Sequence, residues 1–136
     1  MANILIAENE LALREFIARG LERRGHSVTQ ADDGATAVEA LKDRSFDLLL
    51  TDIDMPILDG IALVKLEGPR HPAMKIVVMS GHEHQLERAQ EMTSLVARVI
   101  AKPFSIAEIC DVVDETAGGP APQKKRAGAK RTKPKA

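Results

Sequence analysis

The chain has 136 residues, with 19 Lys and Arg against 20 Asp and Glu, a single Cys and neither Trp nor Tyr; that length supports one domain with a sizeable core. The lone Cys110 excludes an intramolecular disulfide, no apolar run reaches the ~20 residues that span a bilayer, and the opening Met-Ala-Asn-Ile lacks the basic segment of a signal peptide, so a cytoplasmic protein without a membrane role is expected. The net charge of −1 conceals a division: residues 1–117 hold 12 basic and 20 acidic residues, whereas residues 118–136 hold seven basic and no acidic ones.

Short apolar runs alternate with helical patterns. Ile4–Ala7 reads as a strand buried on both faces, followed by Leu13, Phe16, Ile17 and Leu21 at helical spacing until Gly25 stops the helix. A second strand spans Ser27–Ala31, and Asp32-Asp33-Gly34 leads into a helix carrying Ala37, Val38 and Leu41. Phe46–Thr51 and Ile76–Met79 form the third and fourth strands, and a weaker fifth covers Val96–Ala101. Ser105 is the expected N-cap of a last helix whose Ile106, Ile109, Cys110 and Val113 face inward. Five β/α units with continuously apolar strands imply a parallel sheet covered on both faces by helices, an α/β fold.

In such sheets ligands gather beyond the carboxyl ends of the strands. Glu8, Asn9 and Glu10 follow the first strand, Asp52, Ile53 and Asp54 the third, Ser80 and Gly81 the fourth, and Lys102, Pro103 and Phe104 the fifth. Carboxylate and amide oxygens suit Mg²⁺, which keeps several waters and needs few protein ligands, while a lysine neutralises phosphoryl charge. A carboxylate placed there can attack phosphorus to give an aspartyl phosphate, in chemistry that asks mainly for positioning and electrostatics. The Ser80 hydroxyl can then bond a phosphoryl oxygen and couple the modification to a loop shift.

With Glu8-Asn9, Thr51-Asp52-Ile53-Asp54-Met55-Pro56, Asp59-Gly60, Met79-Ser80-Gly81 and Lys102-Pro103-Phe104 in this order, the chain resembles the receiver domain of bacterial response regulators over residues 3–117. The resemblance implies a flavodoxin-like (βα)5 receiver over residues 1–117 with a five-stranded parallel sheet. It implies Asp52 as phosphoacceptor, Glu8 and Asn9 at the acid positions of a Mg²⁺ site, the Asp54 backbone carbonyl as a further metal ligand, Ser80 as switch hydroxyl and Lys102 as the phosphate-contacting lysine. A cis bond before Pro103 is expected, pointing the lysine inward. His82 and the Asp54 side chain occupy positions that, by resemblance, tune the lifetime of the aspartyl phosphate; the plainer reading of His82 and His84 is exposed residues opening a helix. Glu10 is expected to favour the start of the first helix through its dipole, Cys110 to be a buried hydrophobe, and Met55 and Met79 to support the loop and core.

Two departures from the family pattern stand out. Asn9 takes the place of an acid beside Glu8, so weaker Mg²⁺ binding and slower phosphorylation are expected. Val99 stands where many receivers carry a rotating aromatic, and with no Tyr in the chain a switch must work through Ser80 and loop or helix movement. Asp52-Ile53-Asp54 also matches the nucleophile and acid/base pair of haloacid-dehalogenase-type phosphatases, but here it follows the third strand rather than the first.

From Gly118 the apolar period disappears, and Lys124-Lys125-Arg126 with Lys130-Arg131 mark a basic Lys/Arg/Pro/Ala tail over residues 118–136 that is expected to be disordered. It is read as a salt-dependent nucleic-acid contact or as a solubilising segment that folds back on the acidic body. With no second folded domain expected, output passes through protein contacts. Within the receiver family the chain is most similar to CpdR-type single-domain regulators, through Ile-Leu-Ile-Ala-Glu and Ala101-Lys102-Pro103-Phe104-Ser105. That similarity implies an adaptor that controls ClpXP-dependent proteolysis and is switched by a histidine kinase or histidine phosphotransfer protein. The rivals are a stand-alone phosphate sink or shuttle and a nucleic-acid-associated regulator acting through the tail.

Overall fold

The structure, a computed structural model, describes residues 1–117. The expected tail lies outside the described residues. Five strands, β1 (Asn3–Ala7), β2 (Ser27–Ala31), β3 (Leu48–Asp52), β4 (Lys75–Ser80) and β5 (Arg98–Ala101), alternate with helices α1 (Leu11–Arg23), α2 (Gly34–Asp43), α3 (Gly60–Glu67), α4 (Glu83–Gln90) and α5 (Ile106–Ala117). The sheet is parallel throughout in the order β2-β1-β3-β4-β5, so strand order reverses between β1 and β3.

The strands are apolar on both faces because both faces are covered. Ile4, Ile6, Leu48, Leu50, Val77 and Met79 pack against Ile17, Leu21, Ile109, Cys110 and Val113 of α1 and α5. Leu5, Leu49, Ile76 and Val78 pack with Ala37 and Leu41 of α2, Leu63 and Val64 of α3 and Ala89 of α4. Full burial of each Leu or Ile contributes roughly 1.5–3 kcal/mol, and all five residues of β3 are buried.

Side-chain caps fix the starts of α2, α3 and α5, and a glycine fixes the end of α1. Asp33 accepts from Thr36 N–H at 2.7 Å to start α2, and Asp59 accepts from Ala62 N–H at 2.8 Å to start α3. Ser105 and Glu108 bond one another's backbone N–H at 3.0 and 2.8 Å, a capping box that starts α5. At the end of α1, Gly25 has φ +95°, its N–H donates to Glu22 O, and His26 N–H reaches back to Leu21 O; this Schellman arrangement favours glycine, the residue that enters the left-handed region without cost. The Lys102–Pro103 bond is cis, as expected from the sequence.

Several sequence expectations are corrected. Phe16 is 52% exposed, because Gly20 rather than Phe16 meets α5, with Ile106 and Cys110 filling the space above it. Phe46 is buried but precedes β3, which extends instead to Asp52. Val96 is also buried yet belongs to the turn before β5, its N–H bonded to Met92 O.

Candidate functional site

Glu8, Asp52, Ser80 and Lys102 sit at or just beyond the carboxyl ends of β1, β3, β4 and β5, so the parallel sheet brings them to one rim. Each is anchored through its backbone or its neighbour's: Glu8 N–H donates to Ala31 O, Ile53 N–H to Met79 O and Lys102 N–H to Ser80 O. Lys102 Nζ donates to Glu8 Oε1 at 3.1 Å and lies 3.2 Å from Asp52 Oδ2. The two carboxylates are almost wholly buried, while the lysine side chain keeps 24% of its surface.

This geometry sets the charges. Burial, and after it the neighbouring Glu8 carboxylate, push the Asp52 carboxyl from 3.8 up to about 6, against the opposing pull of Lys102 and the Asp54 N–H. Burial alone would lower the Lys102 ammonium, yet Asp52 and Glu8 together raise it above its ordinary value. The result is a charged lysine shared by two repelling carboxylates.

A second group adjoins the first. Asp54 N–H reaches Asp52 Oδ1 at 3.3 Å, and Asp54 Oδ2 accepts from Ser80 Oγ at 2.7 Å and lies 3.1 Å from His82 Nδ1. Ser80 Oγ also accepts from His82 N–H at 3.0 Å. His82 is the exposed N-cap residue of α4, as its plainer reading expected, and its ring lies beside the Asp54 side chain. Cys110, Met55 and Met79 are buried as expected.

Asn9 lies exposed at the rim, outside the Glu8–Lys102–Asp52 cluster. Among the described residues no three His, Cys, Asp or Glu side chains gather as a metal centre. The pair that does gather, Glu8 and Asp52, matches what a hard divalent cation needs when water and phosphoryl oxygens complete its shell.

Three further residues support the site in ways the sequence did not show. Arg14 Nη1 donates to the Glu8 carbonyl at 2.8 Å, and Glu10 N–H donates to Glu8 Oε2 at 2.9 Å, so α1 fixes the Glu8 backbone and one carboxylate oxygen. Glu10 is the N-cap residue of α1 but makes no side-chain cap. Gly60 N–H donates to Ile53 O, and a Cβ there would fall 2.2 Å from Asp52 O. The Asp59-Gly60 pair carries the only hint, as an N-cap followed by the smallest residue.

The chain matches the family model of the response regulator receiver domain over residues 4–114. It is 35% identical over 115 residues to the response regulator receiver protein CpdR of Brucella abortus (strain 2308), covering 85% of this chain and 96% of that protein. It is 30% identical to the DNA-binding transcriptional regulator NtrC of Escherichia coli (strain K12) over 82% of this chain but only 24% of NtrC. The crystal structure of the receiver domain of NtrX from Brucella abortus superimposes with a TM-score of 0.77 at 28% identity, covering 85% of this chain and 98% of that one. The four strand-end residues, the parallel sheet and these matches agree: the chain belongs to the response regulator receiver domain family.

Proposed function

We propose that the protein is the phosphoacceptor receiver of a two-component phosphorelay, modified on Asp52. The observation that carries this reading is Lys102 Nζ placed 3.1 Å from Glu8 Oε1 and 3.2 Å from Asp52 Oδ2 at a buried strand end. An Asp52 oxygen attacks the phosphorus of a phosphohistidine on a histidine kinase or phosphotransfer protein; the O–P bond forms as the P–N bond breaks. Lys102 neutralises the transferred oxygens, and Ser80 exchanges its bond to Asp54 for one to the phosphoryl group. Mg²⁺, held by Glu8, Asp52 and the Asp54 carbonyl with Asn9 beside them, would supply positive charge against the phosphoryl oxygens. In dephosphorylation water attacks the same phosphorus, the bond from phosphorus to the Asp52 oxygen breaks and inorganic phosphate leaves, so the chemistry is the protein's own rather than that of a separate enzyme.

As output we propose an adaptor role in the cytoplasm, in which the unphosphorylated protein promotes substrate delivery to the ClpXP protease and phosphorylation turns delivery off. Support comes from the 35% identity to CpdR, a protein that this chain spans nearly end to end.

Incubating the protein with acetyl phosphate and Mg²⁺ should add one phosphoryl group by mass, and Asp52→Ala should take up none. A pull-down from lysate with Asp52→Ala should enrich an ATP-dependent protease. Capture of phosphotransfer proteins alone would favour the phosphate sink, and loss of binding on deleting residues 118–136 would favour a role for the tail.

A further inference from the structure

At the edge of the sheet opposite Asp52, the first residues of β1 and β2 and the connection from α2 to β3 enclose a pocket of about 310 Å³. Asn3 and Ser27 are neighbours in register, as are Leu5 and Thr29. The two-residue period of a strand places Asn3, Ser27 and Thr29 on the same face as Leu5, which packs under α2. Arg44 and Phe46 close the space from the connection.

The Arg44 guanidinium is held from two sides. It lies 5.4 Å from the centroid of the buried Phe46 ring and donates to the Thr29 hydroxyl. Arg24, Arg70 and Arg98 are each paired with a carboxylate, while Arg44, like Arg14, Arg19, Arg23 and Arg88, makes no ion pair among the described residues; what sets Arg44 apart is that it lines this pocket beside Phe46. An Arg fork pre-oriented in this way keeps N–H donors free for two-point contact with an oxyanion. Ser27 and Ser45 line the same space, and its volume sits near the lower bound of ~300–1,000 Å³ for small-ligand sites. That is more room than a bare phosphate occupies.

We propose that this pocket binds a small phosphomonoester, with the phosphate on Arg44 and a hydroxyl-bearing body against Ser27 and Ser45. The site is separate from the Asp52 cluster. Two features limit its strength: the nearby Asp47 carboxylate, which accepts Asn3 N–H at 2.7 Å, and the carbonyl end of α2. A Kd on the order of 1 mM is therefore expected.

The test is an amide NMR titration of the full chain, in chelator, with ribose phosphate, inorganic phosphate and ribose. The expected result is saturable shifts at Thr29 and Ser45 with ribose phosphate, tighter than with inorganic phosphate. These shifts should persist in Lys102→Gln, which removes the competing phosphate contact near Asp52, and weaken about tenfold in Arg44→Gln. Arg44→Lys, which keeps the charge without the fork, should fall between the two. Unsaturated shifts, shifts confined to the Asp52 rim, or equal binding by wild type and Arg44→Gln would overturn the proposal. Equal affinity for ribose phosphate and phosphate would overturn the part assigned to the hydroxyls.

Discussion

Ser80 and Asp54 are joined by a 2.7 Å hydrogen bond from the Ser80 hydroxyl to Asp54 Oδ2, which commits the hydroxyl proton to Asp54 rather than to Asp52. A phosphoryl group on Asp52 must therefore compete with a charge-assisted bond for Ser80. Replacing Ser80 with Ala should leave phosphorylation on Asp52 intact while abolishing the phosphorylation-dependent shifts of the β4–α4 loop in amide spectra. Unchanged shifts in Ser80→Ala would place the switch elsewhere.

Asn9→Asp adds a carboxylate to the rim beside Glu8 and Asp52. Mg²⁺ affinity, measured by calorimetry on the unphosphorylated protein, should rise about tenfold, equivalent to ~1.4 kcal/mol. Equal affinities would show that position 9 takes no part in cation binding.

The Asp52 carboxyl, raised to about 6 from 3.8, makes stability fall as pH rises. The folded state holds this proton more tightly than the unfolded chain, so the group favours the fold at low pH and loses that advantage between about pH 4 and 6. In chelator, Asp52→Asn should melt well above wild type at pH 7, by on the order of 2 kcal/mol, and the gap should narrow toward pH 4. A difference independent of pH would mean that the charge at Asp52 is not what destabilises the metal-free protein.

Gly60→Ala forces a Cβ to within 2.2 Å of Asp52 O and 2.7 Å of Ile53 Cα. Both are backbone atoms at the site itself, so the end of β3 must move. A loss of ~3 kcal/mol in denaturant unfolding is expected, together with weaker labelling by acetyl phosphate. Wild-type stability would show that α3 can shift instead.

Helix α4 buries only Ala89 of its eight residues, whereas α1 buries Ile17, Ala18, Gly20 and Leu21. Hydrogen exchange should therefore be faster in α4 than in α1 by about tenfold or more. Comparable protection of the two would contradict a thinly anchored α4.

The sheet was legible because β1, β3 and β4 carry short unbroken apolar runs, each followed by a helical pattern, as parallel strands covered on both faces do. The strand-end residues were legible for the same reason: once the strands are placed, Glu8, Asp52, Ser80 and Lys102 fall on one rim. Less visible was anything decided by rotation about a helix axis or by a single contact. Phe16 fits the apolar spacing of α1, yet the position facing α5 is Gly20, whose lack of a side chain makes room for Ile106. Spacing also gave no sign that Arg14 would reach the Glu8 carbonyl, because that bond depends on how α1 leaves the rim.

Because α5 runs back against the strands, the chain leaves Ala117 at the edge of the sheet farthest from Asp52, where Arg24 and His26 grip Asp114 and Arg98 grips Glu115. A pull applied beyond Ala117 is borne first by these side-chain clasps and by the three buried residues of α5, Ile109, Cys110 and Val113. Peeling one outer helix breaks contacts in sequence, whereas shearing the central parallel strands breaks many at once. Mechanical unfolding from the carboxyl end is therefore directed to open α5 before the load reaches β3 and the Asp52 rim.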